Sequence, residues 1–525
     1  MIKLTINNQP VEVESGATVL EAALKAGFEI PTMCENGSVE HFASCMVCMV
    51  KDSKSGGLLP ACSSLAQNNS VLITEDAEIF EARKTAIELL MSEHVGDCQA
   101  PCQVACPANM DIPSMNRLLA AGDTEAALDV VLRDIALPGV LGRICPAPCE
   151  GVCRRKPMDG AVAICSLKRF SYDGSKPRIP SCAPSNGFKI SIVGAGPAGL
   201  SAAFYLRLRG YDVDVYDAQA LPGGALRYSV MKEALDRTVL DAEIEVIAQM
   251  GANFYCGETI DKQRFEKLRT DYNVVILATG NLLEQILDWG LNNDGKHLLI
   301  DKKTYLTNLN AVFAIGNSNR AGKLAIRSAA QGKEVAFSVD QLLKGEPLTG
   351  EPKRFNSTIG RLQSEEFVHY LQAASDAPRH VIKEDAVGLD AGFAAGFDAA
   401  TAMAEAKRCM DCDCNKLDDC VLRKHADTFQ IAKRRFAYSE RVKVSRQITS
   451  QLVVFEPGKC IKCGICVRIT AKHQETFGFT FIGRGFDVVV GVPLNETLEA
   501  ALSTTAEKVV EACPTGALGY SKQKK

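Results

Sequence analysis

The sequence predicts a multidomain protein that combines α/β and α+β domains. Its 525 residues exceed the length of one ordinary domain. The stretch from Ile190 to Asp217 reads as a strand, a glycine-rich turn, a helix and a second strand, which is the βαβ unit of α/β sheets. Of the 21 cysteines, all except Cys182 and Cys256 fall into groups with short internal spacings. Each cysteine group predicts a separate small module beside the α/β domain.

Composition and charge exclude several classes of protein. Hydrophobic residues make up 46% and charged residues 23% of the chain, which is the balance of a globular protein. The net charge is −4, and no basic run is longer than the tail at Lys522, Lys524 and Lys525, which argues against nucleic acid or an anionic membrane as partner. No membrane span or signal peptide is apparent, and clustered cysteines indicate metal rather than disulfides. We therefore expect a soluble, cytoplasmic metalloprotein.

Residues 1–80 predict a small α+β module. Ile2 to Ile6 and Val11 to Val13 alternate apolar and polar residues around Asn7-Asn8, as a hairpin does, and Thr18 to Ala26 has helical spacing. Four cysteines follow, and they are Cys34, Cys45, Cys48 and Cys62. Three thiols in one loop with a more distant fourth favour a two-iron cluster, and a zinc site is the alternative. The segment resembles the plant-type ferredoxin fold, a β-grasp, as found in iron hydrogenases and in the large iron–sulfur subunit of NADH dehydrogenase.

A second cysteine group follows a helical segment from Glu81 to Met91. Its candidate metal ligands are His94, Cys98, Cys102, Cys106, Cys145, Cys149, Cys153 and Cys165. A helical stretch from Ile112 to Ile135 separates its two halves. Together with the motifs Asp111-Ile112-Pro113 and Gly142 to Pro146, the group resembles the helical iron–sulfur domain of the glutamate synthase small subunit, in which two four-iron clusters are interleaved.

This resemblance implies how the thiols are shared. One cluster would take Cys98, Cys102 and Cys153, and the other would take Cys106, Cys145, Cys149 and Cys165. Seven cysteines cannot fill eight ligand positions, so the first cluster lacks a ligand. His94 is a candidate because histidine replaces cysteine at some clusters. A histidine that caps a helix or bonds to a carbonyl is the alternative interpretation.

The turn from Gly194 to Gly199 has the spacing G-x-G-x-x-G between the first strand and the helix. Its glycines allow the backbone to approach a pyrophosphate, and the helix N-terminus offers free N–H groups. Asp217 ends the second strand, where a carboxylate meets the adenosine ribose. Glycine turns also join strands to helices for packing alone, but strand, turn, helix and terminal acid agree here. The unit predicts dinucleotide binding.

Later segments resemble the flavin domain of the glutamate synthase small subunit and its relatives. Pro222 to Tyr228 is similar to the segment along the flavin, Val274 to Gly280 to the exit strand, Ala311 to Gly316 to the return strand, and Ala329 to Gly332 to the start of the following helix. The resemblance implies FAD in a Rossmann-like domain. The candidate cofactor-binding residues are Gly194, Gly196, Pro197, Ala198, Gly199, Asp217, Gly223, Gly224, Arg227, Thr279, Gly280, Gly316 and Asn317.

The chain departs from that family in one large respect. The family inserts an NAD(P)H domain between exit and return, but only residues 281–310 lie there, and they lack a glycine turn. A βαβ unit alone takes about thirty residues or more, so the nicotinamide domain is predicted to be missing. Asn317 also stands where the family has an aspartate beside the flavin.

Two cysteine groups occupy the C-terminal part of the chain. The first group is Cys409, Cys412, Cys414 and Cys420. It resembles the C-terminal E-A-x-R-C motif of flavoproteins related to the glutamate synthase small subunit, and it favours a four-iron cluster with zinc as the alternative. The second group is Cys460, Cys463, Cys466 and Cys513. Thr470 and Ala471 stand where a two-cluster ferredoxin has its next cysteine, so this group predicts one four-iron cluster in a ferredoxin-like module.

The predicted domain organisation has five parts. They are a 2Fe-2S module at 1–80, a helical 4Fe-4S domain at 81–185, a Rossmann-like FAD domain at 186–348, a connector with the four-cysteine motif at 349–430 and a 4Fe-4S ferredoxin-like domain at 431–525. The chain would then carry one FAD, one 2Fe-2S cluster and up to four 4Fe-4S clusters. Cys182 and Cys256 are interpreted as inert thiols.

These modules predict an iron–sulfur flavoprotein oxidoreductase subunit that is not active alone. Flavin exchanges electrons in pairs or singly and each cluster passes one, so the chain is interpreted as a redox hub. No pattern predicts a catalytic side chain. The resemblances imply partners such as a diaphorase, a hydrogenase or a formate dehydrogenase, with ferredoxin and an electron-bifurcating assembly as further candidates. An NAD(P)H-oxidising input subunit and a non-catalytic iron–sulfur scaffold are the two alternatives.

Overall fold

The computed structural model describes residues 1–281, 288–319, 322, 324–372, 374–381, 396–432, 435–436, 443–449 and 453–521. Its chain forms two compact units. The first unit contains Met1–Gln99, Arg354–Gln372 and Cys412–Lys525, and the second contains Ala100–Lys353 and Ala373–Asp411. Among the described residues, no helix is long and apolar enough to cross a membrane. The mixed α/β and α+β class is confirmed by the sheets and helices of both units.

The first unit begins with the predicted hairpin and helix. Ile2–Ile6 pairs with Gln9–Val13, and Thr18 caps the helix Val19–Lys25 in a capping box with Glu21. The five-stranded sheet has the order Gln9–Val13, Ile2–Ile6, Val71–Ile73, Met49–Asp52 and Leu58–Pro60. The predicted helical segment at Glu81 lies inside a longer helix, Ala77–Ser92.

The remainder of the first unit consists of short elements around the C-terminal cysteines. Its three-stranded sheet has the order Gln447–Ile448, Val453–Phe455 and Leu518–Tyr520, and Thr480–Ile482 pairs with Val489–Gly491. Its further helices are Phe367–Leu371, Val421–Thr428, Ile465–Lys472, Leu498–Ala501 and Ala506–Ala512. Single 3₁₀ turns occupy Ser364–Glu366, Pro457–Lys459, Gly485–Asp487 and Pro493–Asn495.

The second unit is built on a parallel five-stranded sheet. Its strands have the order Val312–Ala314, Val274–Leu277, Lys189–Val193, Asp212–Asp217 and Ala252–Cys256. The helix Pro197–Leu208 connects the third and fourth of these strands, so the predicted βαβ unit is present as expected. The strand order places the glycine turn at the carboxyl edge of the sheet, where open α/β sheets bind ligands.

Helices pack around this sheet, and several of them precede its first strand in the chain. They are Pro101–Ala105, Ile112–Ala120, Thr124–Asp134, Pro138–Ile144, Pro148–Gly151, Lys156–Asp159, Ile164–Asp173, Pro197–Leu208, Ala225–Tyr228, Arg237–Gln249, Lys262–Asp271, Ala325–Leu343 and Ala399–Ala406, with a 3₁₀ turn at Gly316–Ser318. The helical stretch predicted at 112–135 is two helices, because Gly122 takes a positive φ of 83° and Asp123 caps the second helix. The helix expected to start at Ala329 begins four residues earlier, at Ala325.

The exit strand Val274–Leu277 and the return strand Val312–Ala314 are adjacent and parallel. Between them, the described residues 278–281 and 288–311 form no helix or strand beyond isolated bridges, and 282–287 lie outside the described residues. Trp289 of this segment is buried against Phe265, with ring centroids 4.5 Å apart. The described part of this connection therefore covers one side of the sheet and does not form a second nucleotide-binding unit.

Two glycines allow the glycine-turn helix to pack closely. A Cβ on Gly199 would lie 1.9 Å from the carbonyl oxygen of Gly194, so this position tightens the turn itself. A Cβ on Gly332 would lie 2.6 Å from the carbonyl oxygen of Ala198, which holds the helix Ala325–Leu343 against the start of Pro197–Leu208. The third turn glycine and Gly332 thus set the position of the helix N-terminus.

Gly332→Ala is expected to destabilise the second unit. The added methyl meets backbone atoms that cannot move aside, and overpacking of this kind costs roughly 1–3 kcal/mol. The measurement is the thermal unfolding midpoint of the full chain. Gly151→Ala is the matched control, because a Cβ at Gly151 has no neighbour within 4 Å. Equal midpoints for the two variants would contradict the close helix contact.

Candidate functional site

A large cavity opens at the glycine turn of the second unit. Its volume is about 1180 Å³, which is large enough to hold a ligand of dinucleotide size. Ten of the thirteen predicted cofactor-binding residues line it: Gly194, Gly196, Pro197, Ala198, Asp217, Gly224, Thr279, Gly280, Gly316 and Asn317. The structure therefore brings these ten residues together at one cavity, and their binding of a cofactor stays a prediction.

The other three predicted residues support the wall without lining it. Gly199 tightens the turn, as described above. A Cβ on Gly223 would lie 3.0 Å from Leu240, so this glycine packs against a helix. Arg227 donates from Nε to the carbonyl oxygen of Pro222 at 2.7 Å and forms an ion pair with Asp241. These contacts hold the loop that borders the cavity.

The polar groups of the cavity fit a dinucleotide. Asp217 Oδ2 accepts a hydrogen bond from the backbone N–H of Ala195 at 2.7 Å, and this bond ties the carboxylate predicted to meet the ribose to the glycine turn. The Cβ direction of Gly196 is open except for the Cα of Gly224 at 4.0 Å. Thr279 Oγ1 is buried and has no hydrogen-bond partner in the part of the chain that the structure describes. A buried hydroxyl on a cavity wall with no partner is a group that a ligand would satisfy.

Next to this cavity lies a set of four thiols. Cys106, Cys145, Cys149 and Cys165 line one small internal cavity together with Lys168. A hydrogen bond from Cys165 lowers the pKa of Cys145 to about 6, and burial raises the pKa of Cys149 to about 12. The sequence grouping of these four cysteines is thus reproduced as one cluster of side chains, and four converging thiols fit the four-iron cluster that the resemblance implies.

Lys168 places a positive charge beside these thiols, and sequence reasoning missed it. It lies on the helix Ile164–Asp173 and is only 5% exposed. Burial lowers the pKa of its ammonium group, but attraction to the nearby thiolates, first that of Cys165 and then that of Cys145, outweighs burial and raises the pKa overall. A helical pattern with a lysine on its buried face was the only available indication.

The thiol set and the nucleotide cavity share part of their walls. Arg143, Ile144, Cys145 and Pro146 line the large cavity, and Cys145 also belongs to the four-thiol set. These residues end the helix Pro138–Ile144, whose first turn donates N–H groups of Gly139 and Val140 to the carboxylate of Glu243 at 2.7 and 2.9 Å. Glu243 therefore fixes the segment that carries Cys145.

The N-terminal thiols of the first unit also converge. Hydrogen bonds with Cys45 and then Cys62 lower the pKa of Cys34, and Cys48 Sγ lies 3.1 Å from Cys62 Sγ. All four thiols of the predicted two-iron site are thus together and buried. His41, which the sequence analysis missed, has its Nε2 3.1 Å from Cys62 Sγ and forms a compact group with Cys34 and Cys62.

The last predicted group converges in the same unit. Cys460, Cys463, Cys466 and Cys513 line one small cavity. Burial raises the pKa of Cys460 to about 12 and that of Cys463 to about 11, and like charge from Cys513 adds to both shifts. Four thiols around one cavity fit a four-iron cluster.

The remaining predicted ligands are divided between the units. Cys98, Cys412, Cys414 and Cys420 belong to the first unit, and Cys102, Cys153 and Cys409 to the second. His94 follows the helix Ala77–Ser92 and donates its backbone N–H to Met91. The groupings expected from the sequence, Cys98 with Cys102 and Cys153, and Cys409 with Cys412, Cys414 and Cys420, each span this division.

In the second unit, Cys409 lies beside Cys153. Burial raises the pKa of Cys409 to about 12, with a contribution from Cys153. The preceding Arg408 and Glu405 are fully buried and paired at 2.9 Å, and Glu405 accepts from the backbone N–H of Ala163 at 2.8 Å. The charged residues of the E-A-x-R-C motif therefore anchor Cys409 against the helical iron–sulfur region.

Family models match four segments of the chain in order. They are the 2Fe-2S iron-sulfur cluster binding domain at residues 1–76, dihydropyrimidine dehydrogenase domain II with its 4Fe-4S cluster at 79–178, the NAD(P)-binding Rossmann-like domain at 192–257, and the ferredoxin-like domain of NADH-quinone oxidoreductase subunit 3 at 450–519. The predicted mosaic of iron–sulfur modules around a Rossmann-like domain is confirmed.

Curated relatives of the chain are oxidoreductases or their subunits. NADPH-Fe(3+) oxidoreductase subunit beta of Geobacter sulfurreducens is 34% identical over 42% of this chain and 35% of its own length. NADP(+)-dependent formate dehydrogenase subunit beta of Moorella thermoacetica is 36% identical over 34% and 29%. The glutamate synthase [NADPH] small chain of Bacillus subtilis is 32% identical over 40% and 46%. The chain thus spans between about a third and a half of each relative.

Glu243→Gln is expected to flatten the pH dependence of stability. Burial raises the pKa of Glu243 from 4.5 to about 8. Because the folded state holds the proton more tightly than the unfolded state, this carboxyl makes stability fall as the pH rises from about 4.5 to about 8. Urea unfolding at several pH values measures the slope. Glu245→Gln, on the exposed face of the same helix, is the control that keeps the wild-type slope.

Lys168→Met is expected to lower the potential of the four-iron cluster predicted at Cys106, Cys145, Cys149 and Cys165. Removing a buried positive charge disfavours the added electron, and Coulomb energies of a few kcal/mol at an effective dielectric constant near 20 correspond to a shift on the order of 100 mV. Potentiometric titration with electron paramagnetic resonance (EPR) detection measures it. Lys176→Met removes an exposed charge and should leave the potential unchanged.

Proposed function

We propose that this chain is an electron-transfer subunit of a larger oxidoreductase, in which FAD exchanges electrons with several iron–sulfur clusters. The observation that supports this most directly is the shared wall: Cys145 belongs both to the nucleotide cavity and to the four-thiol set. A flavin exchanges electrons in pairs or singly and a cluster exchanges one at a time, so this adjacency suits conversion between the two.

The proposed cofactor content is one FAD, one 2Fe-2S cluster and up to four 4Fe-4S clusters. The protein's own groups would hold the dinucleotide. N–H groups at the start of Pro197–Leu208 would bind the pyrophosphate, Asp217 would accept from the ribose hydroxyls, and Thr279 Oγ1 would gain its missing partner. Arg143 adds a positive charge to the same wall.

The proposed partners are further redox subunits. The named relatives are subunits of an NADPH-Fe(3+) oxidoreductase, an NADP(+)-dependent formate dehydrogenase and glutamate synthase. By analogy, this chain would pass electrons to or from a diaphorase, a hydrogenase, a formate dehydrogenase or a ferredoxin. Nineteen thiols arranged as ligands, 21 less Cys182 and Cys256, also call for a reducing compartment, so we place the protein in the cytoplasm.

For this chain we favour a role as an electron relay over a role as an input subunit that oxidises NAD(P)H itself. The described connection between the exit and return strands contains isolated bridges and buried apolar residues such as Trp289, rather than a second glycine turn. The dinucleotide cavity at the first glycine turn would hold the flavin. Reducing equivalents would then reach this flavin through a partner.

The experiment is an anaerobic visible spectrum of the reconstituted full chain after addition of NADH, NADPH and then dithionite. Dithionite alone should bleach the flavin and cluster bands. If either nucleotide bleaches them, the chain is an input subunit and the relay proposal is wrong. If dithionite also leaves the bands unchanged, the clusters are structural and the scaffold alternative is correct.

Thr279→Val is expected to weaken FAD binding roughly two- to tenfold and to leave the cofactor-free chain as stable as the wild type. The hydroxyl has no partner among the described residues, so only the ligand loses a hydrogen bond, worth about 0.5–1.5 kcal/mol. Flavin fluorescence measures the affinity and thermal unfolding the stability. Thr307→Val is the matched control: Thr307 Oγ1 donates to the carbonyl oxygen of Val312 at 2.8 Å, so its loss should lower stability and spare FAD affinity.

A further inference from the structure

We propose that Cys98, Cys414 and Cys420 together hold one iron–sulfur cluster within the first unit, with ligands drawn from two cysteine groups that are far apart in the sequence. The sequence grouping would instead give Cys98 to a cluster with Cys102 and Cys153. The assignment concerns only which thiols bind metal, so it does not depend on the donor, the acceptor or the direction of electron flow.

The backbone brings these segments into direct contact. The N–H of Cys414 donates to the carbonyl oxygen of Cys98 at 2.9 Å. Cys98 also pairs with Ser357, since its N–H donates to the Ser357 carbonyl at 3.1 Å and its Sγ accepts from the Ser357 N–H at 3.4 Å. An N–H directed at a sulfur is a contact that stabilises a thiolate ligand.

The three sulfurs are buried and close enough to influence one another. Cys98, Cys414 and Cys420 are 8%, 6% and 7% exposed. The N–H of Val421, next to Cys420, donates to the carbonyl oxygen of Pro514 at 2.9 Å, and Gly516, two residues further along, lies against Cys414 Sγ. Electrostatic contributions of Cys414 and Cys98 to the raised pKa of Cys420 agree with this proximity. The thiol of Cys182, by contrast, donates to the carbonyl oxygens of Pro180 and Met250, at 3.7 and 3.9 Å, as expected of an inert thiol.

Two buried cations face this thiol group. Lys459 is 3% exposed and forms an ion pair with Glu456 at 2.5 Å, and its charge interacts most strongly with Cys414. Arg423 is 6% exposed, donates to the carbonyls of Phe355 and Leu417, and lies close enough to Cys98 to favour its thiolate. Buried positive charges beside three thiols favour the deprotonated form that binds metal. Apolar packing of neutral cysteines would not need them.

The sulfur of Cys414 packs closely against Gly516, in the loop that follows Cys513. A Cβ on Gly516 would lie 2.2 Å from Cys414 Sγ, so the absence of a side chain there leaves the space that this sulfur occupies. The hydroxyl of Ser357 is fully buried and has no hydrogen-bond partner among the described residues. Because the backbone of Ser357 already bonds to Cys98, this hydroxyl is a candidate oxygen ligand for a position that the three thiols leave open.

The test counts iron in full-length, anaerobically reconstituted variants. Cys98→Ala and Cys420→Ala should each lose the iron of one cluster, about four atoms. The double variant C98A/C420A should lose no more than either single variant, whereas C98A/C153A should lose twice as much. Cys182→Ala is the control that keeps all iron. The EPR spectrum of the two-iron cluster reports whether each variant is folded.

Three results would overturn the assignment. They are the loss of two clusters' iron in C98A/C420A, the loss of only one cluster's iron in C98A/C153A, or the full wild-type iron content in either single variant. Zinc in place of iron would also overturn it.

If the variants do not fold, the wild-type chain is stripped of metal and treated with dibromobimane, which links neighbouring thiols. A link from Cys98 to Cys414 or Cys420 supports the assignment, and a link to Cys102 or Cys153, or no link from Cys98, overturns it.

Discussion

The second unit depends on one segment, Arg143 to Pro146, that serves two sites at once. It closes the nucleotide cavity and carries Cys145 into the four-thiol set. The buried carboxyl of Glu243 holds the helix before it, and the close contact at Gly332 holds the helix behind the glycine turn. These two contacts therefore fix the position of the cavity relative to the four thiols beside it.

Buried charge is the second recurring feature. Lys168 lies among the thiols next to the cavity. In the first unit, Lys459 and Arg423 face the thiols proposed as one site, those of Cys98, Cys414 and Cys420. In the second unit, the ion pair of Arg408 with Glu405 anchors Cys409. An iron–sulfur cluster ligated by thiolates carries net negative charge, and buried negative charge is costly without nearby cations. The lysines and arginines thus offset the charge that these sites would bring into the interior.

Local patterns in the sequence predicted much of this architecture. The βαβ unit and the triplet Cys460, Cys463 and Cys466 follow from contiguous motifs whose spacing sets the geometry, and the Cys-Pro pair at Cys513 marked the fourth thiol. The helical stretch predicted at 112–135 consists of two helices, and the break at Gly122 was not predicted. The contact of Cys98 with Cys414 could not be predicted, because it arises when segments distant in sequence pack together. The helical pattern indicates that Lys168 is buried, but its position among the thiols of Cys106, Cys145 and Cys149 depends on segments outside its own helix.

The most direct test of the central claim is photoreduction of the bound flavin in the isolated full chain, followed by EPR and visible spectroscopy. Light and a sacrificial donor reduce the flavin without any partner subunit. If the flavin exchanges electrons with the thiol-held clusters, cluster signals will grow while the flavin band is bleached. A bleached flavin with clusters that stay oxidised would contradict the account.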